Sequence, residues 1–376
     1  MSARQASAKD MGDGLRIVVA GGGTGGHLYP GIAVARELLT RRPDAQITFA
    51  GTARGIESRI VPREGFALDL IRSRGLKGKS FSERLAGAVV VPSSLIDAWR
   101  IVSDRRPQLV MGVGGYSSGP VVLVAALRGI PTMLIEQNAV PGLTNRLLAR
   151  VVRAAAVAFE ATLPFFGPKG FVSGNPVRPE FVAPGPAART PVDTTRSVGV
   201  LVFGGSQGAH AINVAMAEAA SELSRGHPSV RVTHQTGERD VELVRSAYRT
   251  AGLDAEVEPF LYDMGRRMSA ADLVVSRAGA TTIAEIAAAG RPAILIPLPG
   301  ATDDHQRRNA EVLARSGAAD MLLQTAATGL ELARRIQALA ADAELRARMS
   351  DAARLHARPD AARTIVDRAL ALLDAG

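Results

Sequence analysis

The sequence makes the same move twice. Val18–Gly31, "VVAGGGTGGHLYPG", and 199–215, "GVLVFGGSQGAHAINVA", each carry an apolar stretch of strand length into a glycine turn and then into a helical pattern. Each glycine costs up to about 1 kcal/mol against alanine inside regular structure. Clusters of them imply that the backbone itself must approach something closely. A glycine turn between strand and helix also presents free N–H groups at the positive end of the helix, a ready seat for phosphate.

The same alternation runs through the whole chain. Apolar runs at 16–20, 46–50, 109–113, 132–135 and 155–158 read as strands, and the pattern resumes at 198–203, 230–235, 255–258, 273–276, 293–296 and 318–322. Helix-length segments fall between most of them, which predicts an α/β chain of parallel sheets wound by helices on both faces. One helix is expected in "VVVPSSLIDAWRIVSD", started by the turn at Pro92, Ser93 and Ser94. The uncharged run 108–127 could span a bilayer by length, but its glycines, serines and proline read as strand, turn and helix, so no transmembrane segment is expected.

At 376 residues two domains are the natural expectation. The proline-rich stretch 175–191 has no periodic pattern and reads as a linker. The expected division is a first nucleotide-fold unit over 1–178, a linker over 179–195, a second unit over 196–358, and a terminal helix over 359–376 that packs back toward the first unit. The polar start lacks the apolar core of a signal peptide. With no cysteine there is neither a disulfide framework nor a thiolate metal site.

The formal charge is +9, carried almost wholly by arginine. Arg72, Arg74, Lys77, Lys79 and Arg84 nevertheless crowd one segment that faces only Glu83. Such a surplus suits phosphate-rich or anionic-lipid partners. Aromatic residues make up 4% of the chain and do not alternate with basic ones, which argues against nucleic acid.

His27 falls where the first helix begins, at the carboxyl end of the first strand. It can take a proton from a hydroxyl nucleophile there, or simply fill the turn. Gly21, Gly23 and Gly26 satisfy a dinucleotide fingerprint formally, yet the second strand ends without an acidic residue for a ribose. In the second half, Ala280, Thr281 and Thr282 open a helix with Glu285 one turn in. That carboxylate can accept hydrogen bonds from a vicinal diol such as a ribose, or it is only a favourable acid near a helix start. Asp303, Asp304 and His305 stand together at another helix start, but neighbours at a cap rarely converge on one ion. No metal or other cofactor is expected.

Taken together, "GGGTGGHLYPGIAVA", "GVGGYSSGP", "EQNAVPGLTN", "GNPVR", "GGSQGAHAIN", "SRAGATTIAE" and "PAILIPLPGATDDHQRRNA" resemble, in order, the signatures of the MurG family, the N-acetylglucosaminyltransferases that make lipid II from lipid I. The resemblance covers about 15–310. It implies a GT-B fold, two doubly wound Rossmann-like domains facing each other across a cleft, with the donor UDP-N-acetylglucosamine held mainly by the second. By matching motifs, Ser206 and Gln207 and the backbone of Thr24, Gly25 and Gly26 meet the diphosphate, and Arg178 serves the nucleotide side. Leu261 packs the uracil and Glu285 takes the ribose. Ala280, Thr281, Thr282, Ile283 and Ala284 line that helix start, and Gln306 and Asn309 contact the sugar hydroxyls. Asn138 joins the donor set from the first-domain side of the cleft, where Tyr116, Ser117 and Ser118 lie near the acceptor.

The implied reaction is inverting transfer to the C4 hydroxyl of a muramyl residue, with His27 the candidate base and the two glycine turns facing the departing diphosphate. Family members often carry histidine before "EQN"; this chain has Ile135, so no role transfers there. Because lipid I is membrane-bound, the resemblance implies a peripheral enzyme on the cytoplasmic face of the membrane. Arg72, Arg74, Lys77, Lys79, Phe81 and Arg84 form the expected membrane face; a solvated basic loop leading into a buried helix is the plain alternative. The cell-wall and division machinery are the protein partners the resemblance suggests. Rival readings are another GT-B transferase, such as one glucosylating diacylglycerol, a UDP-N-acetylglucosamine 2-epimerase, which needs acidic groups around C2, and a non-catalytic nucleotide-sugar sensor, in which His27 would be dispensable.

Overall fold

A computed structural model describes residues 14–73, 81–182, 197–205 and 208–374, with 81–91 and 302 described by backbone alone. Seven strands form the first sheet: β1 (Arg16–Gly21), β2 (Gln46–Gly51), β3 (Ala67–Leu70), β4 (Leu109–Gly114), β5 (Thr132–Glu136), β6 (Ala154–Val157) and β7 (Gly170–Val172). They lie in the order β3-β2-β1-β4-β5-β6-β7, every pair parallel. Six strands form the second: β8 (Val198–Phe203), β9 (Val230–Gln235), β10 (Ala255–Glu258), β11 (Leu273–Ser276), β12 (Ala293–Leu295) and β13 (Ala319–Met321). Their order, β10-β9-β8-β11-β12-β13, is again wholly parallel.

Parallel strands need crossovers, and helices supply them. In the first half these are α1 (Gly25–Arg41), α2 (Glu57–Arg63), α3 (Phe81–Arg105), α4 (Ser118–Leu127) and α5 (Leu143–Leu148). The second half has α6 (His210–Arg225), α7 (Val241–Ala251), α8 (Met264–Ala270), α9 (Ala280–Ala289), α10 (His305–Arg315), α11 (Gly329–Ala341) and α12 (Ala343–Leu355). A last helix, α13 (Ala361–Asp374), follows.

Alternate residues of β1 show how each sheet is covered on both sides. Ile17 and Val19 pack with Leu28 and Leu38 of α1, while Val18 and Ala20 pack with Val102 of α3 and Val121 of α4. In β8, Val200 and Val202 meet Ile212 and Ile336, and Leu201 and Phe203 meet Met268 and Ile283. Fully burying such a side chain is worth roughly 1.5–3 kcal/mol, so four such layers hold the molecule together.

The chain joins the two halves at both ends of the second. Phe181, in a short 3-10 turn, is buried in the core of the second sheet. Helix α13 returns to the first: Ile365 and Val366 enter its core beside α1, and Arg41 Nη1 donates to Asp367 Oδ1 at 2.9 Å.

Every strand expected from an apolar run is present, within a residue or two at its ends. The half-exposed edge strand β3 and the three-residue β7 have no such run. The helix expected to start at Pro92 instead begins at Phe81 and runs through that proline. A proline inside a helix removes one hydrogen bond, at a cost of about 3 kcal/mol. Burial of Ala98, Ile101 and Val102 beyond it offsets that cost.

Candidate active site

In a doubly wound sheet, the loops after the two central strands part where the strand order reverses, leaving a crevice at their carboxyl ends. In the first sheet the reversal lies between β1 and β4, which places Gly22–Thr24 and 115–117 at one crevice. In the second it lies between β8 and β11, at 204–205, 208–209 and 277–279. The two crevices face each other, and a Cβ added to Gly26 would lie 4.0 Å from the Thr281 hydroxyl. The amino ends of α1 and α9 therefore converge. Neither first turn holds an acidic residue, and neither Thr24 nor Gly279, the cap residues, makes a side-chain cap bond.

His27 stands in the first turn of α1, half-buried. Its Nδ1 is 3.2 Å from the Thr24 hydroxyl, and the ring also hydrogen-bonds the Gly22 backbone. Gly114, at the end of β4, lies flat against the imidazole: a Cβ there would come within 2.8 Å of Cδ2, and φ is +93°. Burial, followed by the charge of His305 across the crevice, lowers the His27 pKa; the Gly22 bond and Glu57 oppose this. The ring is thus neutral near pH 7, the form a base requires.

Glu285 is buried on α9 and accepts from Arg178 Nη2 at 3.1 Å. Its carboxyl is pushed up to about 7, by burial first, with Arg178 opposing and Glu180 adding. Arg178 also pairs with Glu180 at 3.0 Å, and its guanidinium lies 4.6 Å over the Phe181 ring and 6.0 Å from that of Tyr29 on α1. One arginine therefore links the ribose candidate to both halves. Leu261 is buried nearby in sequence from β10, its N–H donating to Gln235 Oε1 at 2.9 Å. Ala280 and Ile283 are buried, while Thr281, Thr282 and Ala284 are half-buried.

Gln306 is half-buried, its Oε1 accepting from the Leu298 N–H at 3.0 Å. Asn309 is fully buried and bonded across the crevice to Asn138 and the Ala139 N–H. Glu136 holds Asn138 in place: one oxygen accepts from the Asn138 N–H at 3.0 Å, and the other from Gly142 N–H at 3.0 Å and Asn145 Nδ2 at 2.9 Å. Burial raises the Glu136 pKa, and these bonds oppose it. Of the loop before α4, Tyr116 is exposed whereas Ser117 and Ser118 are buried.

Ser206 and Gln207 lie outside the described residues, as do Arg74, Lys77 and Lys79 and the side chains of Phe81 and Arg84. Arg72 is described, and it is engaged: Nε and Nη2 donate to the two oxygens of Asp97 at 2.8 and 2.7 Å. Among the described residues no group of three or more histidines and carboxylates could hold a metal ion, and no helix is long and apolar enough to cross a membrane. Glu57 borders the site with no motif to mark it, and Glu136 and Tyr29 lie in quoted motifs without having been singled out. Each reaches it from a segment whose neighbours become apparent only once the strands are ordered.

Residues 17–157 match the glycosyltransferase family 28 N-terminal domain, and residues 199–365 match the glycosyltransferase family 28 C-terminal domain. The chain belongs to glycosyltransferase family 28. This family 28 chain is 46% identical over 360 residues to the UDP-N-acetylglucosamine–N-acetylmuramyl-(pentapeptide) pyrophosphoryl-undecaprenol N-acetylglucosamine transferase of Anaeromyxobacter sp. (strain K), covering 96% of this chain and 93% of the relative. Among solved structures it is similar to Acinetobacter baumannii MurG, with a TM-score of 0.79 and 32% identity over 95% of this chain and 99% of that one. A UDP-GlcNAc 2-epimerase from Neisseria meningitidis, at TM-score 0.64 and 14% identity over 95% of this chain and 99% of that one, shares the fold alone. The family 28 glycosyltransferase thus has the GT-B architecture of paired parallel sheets.

Proposed function

We propose that this glycosyltransferase moves N-acetylglucosamine from UDP-N-acetylglucosamine to the C4 hydroxyl of the muramyl residue of lipid I, giving lipid II and UDP. The observation that carries the reading is the meeting of two uncapped helix ends, those of α1 and α9, with the His27 imidazole at the first of them. Helix ends of this kind favour phosphate oxygens by about 0.3–1 kcal/mol each at exposed sites, and more where water is excluded.

The C4 oxygen attacks the anomeric carbon from the face opposite the diphosphate, the C1–O bond breaks, and UDP leaves with the bonding pair. The hydroxyl proton passes to His27. In this reading Glu285 accepts from the ribose hydroxyls, Arg178 steadies Glu285, Leu261 packs the uracil, and the α9 start with Ser206 and Gln207 holds the diphosphate. Gln306, Asn309 and Asn138 serve the sugar, and Tyr116 the acceptor side. The charge of the leaving group falls to backbone dipoles, and no metal has a part.

The acceptor's lipid tail brings the enzyme to the cytoplasmic face of the membrane as a peripheral protein. The basic residues of 72–84 support this, because each contributes roughly 1 kcal/mol near an anionic surface. Protein partners in cell-wall synthesis and division would meet it there.

Incubation of the purified protein with labelled UDP-N-acetylglucosamine and a lipid I analogue tests the proposal. Label should move to lipid, and His27→Ala should lower kcat by about 10²–10⁴-fold while UDP still binds. No transfer by the wild type, or full transfer by His27→Ala, would overturn respectively the acceptor and the base.

A further inference from the structure

The first glycine turn is closed from beneath by a carboxylate. Glu57, at the start of α2, is fully buried. Its Oε2 accepts from the Gly23 N–H at 2.8 Å, and its Oε1 accepts from the Thr52 N–H at 2.8 Å and the Thr52 hydroxyl at 2.9 Å. That hydroxyl in turn accepts from the Gly55 N–H at 3.1 Å. A Cβ at Gly22 would lie 2.6 Å from the Glu57 carboxyl carbon, and Gly22 has φ +147°. Glycine at 22 is therefore demanded by a side chain of the protein itself.

A neutral acceptor would satisfy the same N–H groups at less desolvation cost than a carboxylate. What the carboxylate adds is charge, beside the turn that carries Thr24 and His27. Glu57 is one of the groups that raise the His27 pKa against burial and His305.

We propose that Glu57 is a positioning residue for the transfer: it pins the Gly22–Thr24 turn so that the His27 imidazole is held toward the crevice, and it touches neither substrate. The inference rests on the reading of His27 as the base. Unlike a ligand contact, it acts through three bonds made entirely within the protein.

Glu57→Gln keeps the volume but replaces one oxygen with an NH₂ that cannot accept, and removes the charge. Expected are a fall in kcat of about ten- to a hundredfold, a donor KM close to wild type, and an acid limb of kcat/KM moved to lower pH because the imidazole loses a negative neighbour. Thr52→Val, which keeps the charge and loses the hydroxyl's bonds to Glu57 and from the Gly55 N–H, should lower kcat less and leave the acid limb in place. Wild-type kcat in Glu57→Gln, or a kcat loss with an unmoved acid limb, would overturn the proposal. Should Glu57→Gln not fold, wild-type kcat in Thr52→Val would overturn it. His27→Ala separates the two ideas: if it keeps the wild-type acid limb, the base assignment fails whatever Glu57 does.

Discussion

Asn309 Nδ2 donates to Asn138 Oδ1 at 3.2 Å, one side chain reaching the other across the crevice between the two sheets. The same Asn309 amide accepts from the Ala139 N–H at 2.8 Å and donates to the Ala278 carbonyl at 3.3 Å. In this arrangement Asn309 joins the halves, and its amide is occupied by protein partners. Both Nδ2 hydrogens are thereby taken, while Oδ1 keeps one lone pair.

Truncating that amide leaves a backbone N–H and a carbonyl buried without their partner. Asn309→Ala should destabilise the protein by about 1–3 kcal/mol. Thermal or urea unfolding of the variant beside wild type measures it; unchanged stability would mean that the join carries no weight.

Gly114 sets the His27 ring by close approach. At φ +93° a side chain is strained, and a Cβ would press on the imidazole at 2.8 Å from Cδ2. Gly114→Ala should therefore cost about 1–3 kcal/mol of stability and lower kcat about tenfold or more by moving the ring. Steady-state kinetics alongside a melting curve would read both effects.

Glu285 gives a pH signature on the donor side. With its carboxyl near 7, the ionised form grows as pH rises through that value and the protonated form grows as pH falls. A ribose diol donates to both oxygens only when the group is ionised. Affinity for UDP-N-acetylglucosamine, whose diphosphate diester does not titrate in this range, should fall as pH drops from about 8 to about 6, and Glu285→Gln should bind it weakly with a flatter profile. Titration calorimetry across that range, with a flat wild-type profile as the contrary result, decides it.

Much of this architecture is legible before any coordinates. Parallel strands covered on both faces read as unbroken apolar runs, so β1, β4 and β8 are plain, as are the glycine turns that follow β1 and β8. The helix starts bearing Thr281 and His305 are equally clear. Less legible is what depends on strand order. Glu57 lies 34 residues from Gly23 and meets it only because β1 and β2 are neighbours. Asn309 looks like a sugar ligand in a motif, and only folding shows that its partners are Asn138, Ala139 and Ala278. The edge strands β3 and β7 are too short and too exposed to leave an apolar run, and the passage of α3 through Pro92 depends on packing beyond the proline.

In the proposed docking to a membrane, charge comes before shape. Arg72 is paired with Asp97 through both oxygens, so its charge is largely answered within the protein. Under that proposal Arg74, Lys77, Lys79 and Arg84 would carry the attraction, together with the apolar residues that follow them in sequence. Each basic residue adds roughly 1 kcal/mol near an anionic leaflet, about fivefold in affinity, and screening acts within a Debye length of about 8 Å at physiological salt. Vesicles rich in anionic lipid should bind the protein at low salt and release much of it at about 1 M salt. A Lys77→Glu, Lys79→Glu double variant should bind at least about 25-fold more weakly, two such factors, while transfer to a water-soluble acceptor analogue is unaffected. Sedimentation with vesicles measures the binding. Equal attachment to neutral and anionic vesicles, indifferent to salt, would assign the contact to the apolar residues instead.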